Sequence, residues 1–150
     1  MLKSFEKNHI SEIITRIENL NPNSKALWGK MSVSQMLEHC QVPYKQIFNE
    51  NEPKAPWFMR TLVRLFFKTS MTNEVPYKPN LPTAPNFLVL HTPEFSVTQN
   101  NLIKLIVDTQ NLGETYFHGK HHPSLGKLSS QEWSNLLYKH IDHHLRQFGV

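Results

Sequence analysis

Apolar residues recur at intervals of three and four in five stretches of the chain, the spacing of an amphipathic helix. The first stretch covers about Ser4 to Leu20, with Ile10, Ile13, Ile14, Ile17 and Leu20 on one side. Asn21-Pro22-Asn23-Ser24 follows, and these residue types favour a turn. The second opens at Ser32, which has Gln35 at capping-box spacing, so that each side chain can serve an unpaired amide of the other. Met36, Leu37, Cys40, Ile47 and Phe48 carry its apolar stripe. Pro43 lies inside it, without an amide hydrogen and crowding the preceding turn, so a kink is expected there, about one turn after His39. A third stretch, Pro56 to Thr69, holds Trp57, Phe58, Leu62, Leu65, Phe66 and Phe67.

From Met71 to Pro93 the pattern stops. Pro76, Pro79, Pro82, Pro85 and Pro93 forbid one regular element, and a loop of that length is often a functional cover. Phe87-Leu88-Val89-Leu90 reads as a short extended piece at most. Thr92 reads as the N-cap of the fourth helix, with Pro93 first and Glu94 in the opening turn; it runs to about Leu112, where Gly113 ends it. Glu114 to Lys127 reads as a loop. The fifth helix opens at Ser129, with Glu132 completing a second capping box, and runs to about Phe148 before Gly149. The expected fold is all-α: one domain over residues 1–150, a helical bundle without paired strands.

Composition narrows the function classes. A chain of 150 residues with 39% hydrophobic and 19% charged residues can bury a core unaided. The single cysteine, Cys40, allows no intrachain disulfide and agrees with a reducing compartment. No apolar leader opens the chain, and Leu62 to Phe67 is too short to span a bilayer. A soluble cytoplasmic protein with no membrane partner is expected. The formal charge is +4, but the lysines and arginines are scattered, which argues against a nucleic-acid partner.

The histidines change the picture. There are nine, and five lie between His121 and His144. On the last helix Trp133, Leu136, Leu137, His140, His144 and Phe148 share one face. Residues four apart sit about 5–6 Å apart at Cβ, so His140 and His144 can converge on one ion. Such a pair can equally be structural. His143 lies about 100° round the helix and should not share the ion. A third ligand from a facing helix would complete a bundle metal site, and His39, beside Met36 and Leu37, is the candidate. Cys40 reads as a small core residue.

Leu27-Trp28-Gly29-Lys30-Met31-Ser32-Val33-Ser34-Gln35-Met36-Leu37-Glu38-His39 resembles the start of the second helix in the DinB/YfiT-like superfamily. The closing His140-Ile-Asp-His-His144-Leu-Arg-Gln147 resembles its final His-x-x-x-His motif. His122-Pro-Ser-Leu-Gly-Lys-Leu-Ser129, Tyr138-Lys-His140 and His143-His144-Leu-Arg-Gln-Phe-Gly149 resemble an uncharacterised branch of it. The resemblance implies an up-down-down-up four-helix bundle, here with an extra helical segment and a long proline-rich loop. It implies metal ligands at His39, His140 and His144, and a homodimer.

Three neutral imidazoles leave a divalent ion its full charge and can leave one position open, for a water or a thiol. Imidazole suits zinc, nickel, copper or iron, with zinc or nickel favoured here. The expected function is a metal-dependent enzyme that hydrolyses a small-molecule substrate or transfers a low-molecular-weight thiol to it. The alternative is a non-catalytic metal-binding structural or stress-related protein. Gln147, one turn beyond His144, is expected to orient that ring. His122, opening the His-Pro loop, is the candidate catalytic acid/base, against a role in fixing the turn. His91 is a weaker case of the same kind; His9, His118 and His121 read as solvated, and Trp28 and Trp133 as core or pocket wall.

Overall fold

A computed structural model of the chain describes residues 5–48 and 56–150. Ser4, the expected start of the first helix, lies outside them. The described chain is mostly helical: α1 (Lys7–Glu18), α2 (Val33–His39), α3 (Gln41–Phe48), α4 (Trp57–Thr72), α5 (Phe95–Phe117) and α6 (Ser130–Gln147). A 3-10 turn spans Pro85–Phe87 within the proline-rich stretch. α5 packs against α1, α2 and α3, and α6 against α1, α4 and α5. Ile10, Ile13 and Ile17 of α1, Leu102 and Ile106 of α5, and Leu137, Ile141 and Leu145 of α6 are all buried in the common core. No described helix is long and apolar enough to cross a membrane.

Both capping boxes form. The Ser32 hydroxyl accepts from the Gln35 amide and the Gln35 side chain accepts from the Ser32 amide. Ser129 and Glu132 do the same at the start of α6. They fix where the two histidine-bearing helices begin, and so which residues fall on their inner faces. The proline break falls earlier than expected. α2 ends at His39 and α3 starts at Gln41, because Pro43 acts on the carbonyl four residues before it, which belongs to His39.

Three expectations are corrected. Thr92 is not the N-cap of α5. Glu94 is, its carboxylate accepting from the amides of Ser96 and Val97 at 3.0 and 2.6 Å, which leaves Pro93 outside the helix. Gly113 does break the helical backbone, at φ 74° and ψ 164°, but Glu114 to Phe117 do not pass straight into a loop. One more turn follows, and Phe117 within it is fully buried, stacked on Phe5 and close to Trp133. The loop before α6 contains a small antiparallel hairpin, β1 (His121–His122) against β2 (Gly126–Lys127). Two-residue strands are too short to show a period-two pattern.

α4 carries its expected apolar stripe, but the stripe faces outward. Thr72 is its only buried residue, while Phe58, Leu62, Leu65 and Phe66 are exposed. What fastens the helix is largely polar. Asn135 of α6 donates to the Thr72 carbonyl at 2.8 Å, and Lys139, one turn on, donates to the Ser70 carbonyl and to Asn73 Oδ1, each at 2.7 Å. A cation over the last carbonyls of a helix also meets the negative end of its dipole. Burial pushes the Lys139 ammonium down to about 8.

The α6 cap gives a direct check. Ser129→Ala should lower unfolding stability by about 1 kcal/mol, read from denaturant melts. An unchanged midpoint would show that the capping box does not set the start of α6.

Candidate metal centre

His39 comes from the last turn of α2, and His140 and His144 from successive turns of α6. Their rings form a near-equilateral triangle, with centroids 4.8 Å apart for His39 and His140, 4.6 Å for His39 and His144, and 4.9 Å for His140 and His144. One potential ligand atom from each lies within 4.8 Å of the others. Among the described residues no fourth histidine, cysteine or carboxylate joins the group. Cys40 is buried with its thiol against the Met36 sulfur at 3.6 Å, the core role expected of it. His143 packs beside Trp28 and Tyr77 instead.

The hydrogen bonds around the triangle settle two tautomers. His39 Nδ1 lies 2.9 Å from the Phe87 carbonyl, which can only accept, so Nδ1 carries the proton and Nε2 the lone pair. Gln147 donates through Nε2 to the Trp28 carbonyl at 2.6 Å, so its Oε1 must be the atom facing His144 Nδ1 at 2.8 Å. That ring too is protonated at Nδ1, with Nε2 free. Gln147 therefore holds the orienting position expected of it. Gly29 makes room for this amide: at φ 82°, a Cβ there would sit 2.6 Å from Gln147 Nε2.

His140 differs. Its Nε2 lies 2.9 Å from His39 Nε2, and its Nδ1 is buried with no hydrogen-bond partner. Since His39 Nε2 can only accept, His140 Nε2–H donates to it. A proton moved to Nδ1 would free the third Nε2. Ligand nitrogens around a tetrahedral ion at about 2.0–2.1 Å lie about 3.3 Å apart, so only a small opening of the pair is needed. The donor set thus fits a divalent ion.

The electrostatics point the same way. Burial lowers the pKa of His39 below the ordinary 6.5, against the pull of its Phe87 bond. Burial pushes His144 down to about 3, helped by the nearness of His39. His140 is held well below its usual value by burial first, and then by His144, His39 and His143. All three rings are neutral at neutral pH, the form that binds metal.

The proline-rich stretch reaches this site. Phe87 packs its ring against His39 and His140 while its carbonyl holds His39. Gln35 donates to the carbonyls of Val89 and His91, both at 3.1 Å, and Glu38 meets His91 at 3.0 Å. Gln35, Glu38 and His39 thus bind one strap, residues 87–91, along one side of α2. Sequence reading missed Phe87 because the working atom belongs to the backbone and leaves no side-chain signature. Gly29 could have been found, since a glycine follows Trp28 in the motif and glycine tolerates positive φ.

His122 is not in the triangle. It is buried on β1, its ring lies against Trp133, and its Nδ1 accepts from the amides of Ser124 and Leu125 at 3.1 and 3.2 Å. It shapes the His-Pro turn. His118 and His121 are exposed, as expected; His9 is half-buried, 3.5 Å from Glu6, and His91 is exposed beside Glu38.

Burial pushes His122 down to about 4. It stays neutral in the folded chain but takes a proton near pH 6.5 once unfolded. Between those values the unfolded state binds more protons, so stability falls as pH drops, by up to about 1.4 kcal/mol per unit for this ring. Above pH 6.5 the contribution is flat. Melts of metal-free protein should show a decline between pH 6.5 and 4, to which the other buried histidines, His39, His140, His143 and His144, also contribute, and His122→Asn should make it shallower by up to about 1.4 kcal/mol per unit. A slope in His122→Asn equal to that of the wild type would refute the neutral, buried His122.

The model of the family described as "Protein of unknown function (DUF1569)" matches residues 2–149. No curated protein and no solved structure matches the chain. With nearly its whole length covered by that one model, the chain belongs to the DUF1569 family.

Proposed function

We propose that His39, His140 and His144 hold one divalent ion, zinc or nickel, and that the chain is a metal-dependent enzyme. Its reaction is hydrolysis of a small-molecule substrate or transfer of a low-molecular-weight thiol. The observation that carries this is the pair of fixed tautomers. Two of three clustered imidazoles are already protonated away from the centre, each by a bond to an acceptor outside the cluster. Metal-binding histidines are held this way, and both bonds leave an Nε2 lone pair free for an ion.

A bound divalent ion supplies Lewis acidity, enough to bring a water's pKa to about 7 or to keep a thiol as thiolate. The chain's own residues do the rest. The three neutral rings leave the positive charge uncompensated. The Phe87 carbonyl and the Gln147 amide stop two of the rings from turning. The Phe87 ring shields the His39 and His140 side from water. With three candidate ligands among the described residues, one position of a tetrahedral ion is left for substrate. The same reading takes α1, the α2–α3 pair, α5 and α6 as the up-down-down-up core of the DinB/YfiT-like superfamily, with α4 as the added segment.

Elemental analysis of protein purified without chelator or histidine tag should find about one zinc or nickel per chain. His39→Ala, His140→Ala and His144→Ala should each lose it; full occupancy in all three would remove the site. The loaded protein should then turn over thiol-acceptor or ester and amide substrates. Loading without any turnover would reduce the reading to metal binding alone.

The orienting amide has its own test. Gln147→Leu should weaken metal affinity by about 10–100-fold in chelator competition while helix content is kept. An affinity within twofold of wild type would show that the His144–Gln147 bond does not serve the site.

A further inference from the structure

A second cleft lies away from the histidine triangle, between α4 and the turn of the β1–β2 hairpin. Its volume is about 150 Å³, and Trp57, Arg60, Thr61, Arg64, Ser124 and Gly126 line it. We propose that this cleft binds a phosphate group, carried either by a soluble phosphorylated small molecule or by the headgroup of an anionic lipid.

Charge is the first ground. α4 has three basic residues and no acidic one. Lys68 is neutralised by Glu132 at 3.2 Å. Arg60 and Arg64, one turn apart, form no ion pair among the described residues. Like charges four apart on a helix repel, and an anion between them reverses the sign of that interaction. Among the described residues no carboxylate lines the cleft.

The second ground is an unmet hydrogen bond. Arg60 Nε is buried and has no acceptor. A buried charged donor left unpaired is costly, and an oxyanion would supply the missing acceptor. The planar forks of two arginines match the oxygens of a phosphate, each able to donate twice. The Thr61 hydroxyl already donates to the Trp57 carbonyl, but the Ser124 hydroxyl makes no hydrogen bond among the described residues. It is free to donate to a ligand.

The third ground is that the hairpin turn lies directly against Arg64. A Cβ on Gly126 would come within 3.4 Å of Arg64 Cδ and 3.6 Å of its Nη1. Gly126 has φ 75°, which disfavours any other residue in any case. The His122 ring gathers the amides of Ser124 and Leu125, and so fixes the turn that brings Ser124 to the cleft. The His122-Pro-Ser-Leu-Gly-Lys127 segment, which the metal centre leaves unused, gains a purpose here. The space holds one phosphate group and no polymer. The exposed Phe58, Leu62, Leu65 and Phe66 of the same helix are the reason a lipid headgroup stands beside a soluble ligand as a source.

The test titrates the whole chain with inorganic phosphate and follows the backbone amides of Ser124 and Gly126 by NMR, so that the signal reports on the hairpin and not on the histidines. A saturable shift is expected. Arg60→Gln and Arg64→Gln should each weaken it by about tenfold with helix content unchanged. Gly126→Ala, which strains the hairpin turn at its positive φ but removes no charge, should weaken it too. A parallel arm measures co-sedimentation with vesicles of phosphatidylcholine alone and of phosphatidylcholine with phosphatidylglycerol. Arginine-dependent binding to the anionic vesicles alone, without a response to free phosphate, assigns the site to a headgroup. A response to free phosphate without vesicle binding assigns it to a soluble ligand. Both responses, each lost in the arginine variants, also support the site. Neither response, or responses indifferent to both arginines, overturns it; so does vesicle binding lost only in Leu65→Ser or Phe66→Ser.

Discussion

Three imidazoles whose centroids lie within 5 Å of one another can share a buried space only while they stay uncharged and keep their protons out of one another's way. Burial handles the charge, pressing all three pKa values down. Direction is harder, because an imidazole can present either nitrogen. Here it is set from outside, by a backbone carbonyl on one ring and a glutamine amide on another. Much of the remaining architecture serves those two bonds. The capping box at Ser32 fixes the start of α2, Pro43 forces its end at His39, and the strap is laid across it. Gly29 stays bare so that the Trp28 carbonyl can reach Gln147.

The helices were legible in the sequence because their ends carry strong local chemistry. Ser32 with Gln35 and Ser129 with Glu132 can be read without tertiary knowledge, and both form. The start of α5 was not, since Thr92-Pro93-Glu94 offers two capping residues and only packing chooses between them. Gly113 was rightly seen as a break in helical backbone, but the pull of burying Phe117 restores a turn beyond it. Periodicity also showed that α4 has an apolar side without showing where that side points. A hydrophobic stripe gives the direction of a face relative to its own helix and says nothing of what lies opposite.

The candidate site divides along a similar line. His140 and His144 follow from spacing on one helix. His39 followed less securely from its place beside Met36 and Leu37 and was strengthened by a motif resemblance, and the structure brings its ring to theirs. Gln147 was legible as the polar residue one turn past a histidine. The Phe87 carbonyl was not, since any residue has one. His122 shows the ambiguity of the residue type: a ring legible as an acid or base candidate uses its Nδ1 as an acceptor for two turn amides.

The bond from His39 to Phe87 joins two kinds of motion. Turning the His39 ring breaks its bond to the Phe87 carbonyl, and residues 87–91 are held over that ring by Gln35 and Glu38. Local opening of a strap costs less than global unfolding and has its own rate. Release from the His39 nitrogen that requires the ring to turn would therefore be coupled to opening of the strap. Residence time at the triangle would then be governed by a stretch of prolines that contributes no ligand to it. Affinity and exchange could be tuned separately, the first through the histidines and the second through a loop almost fifty residues away.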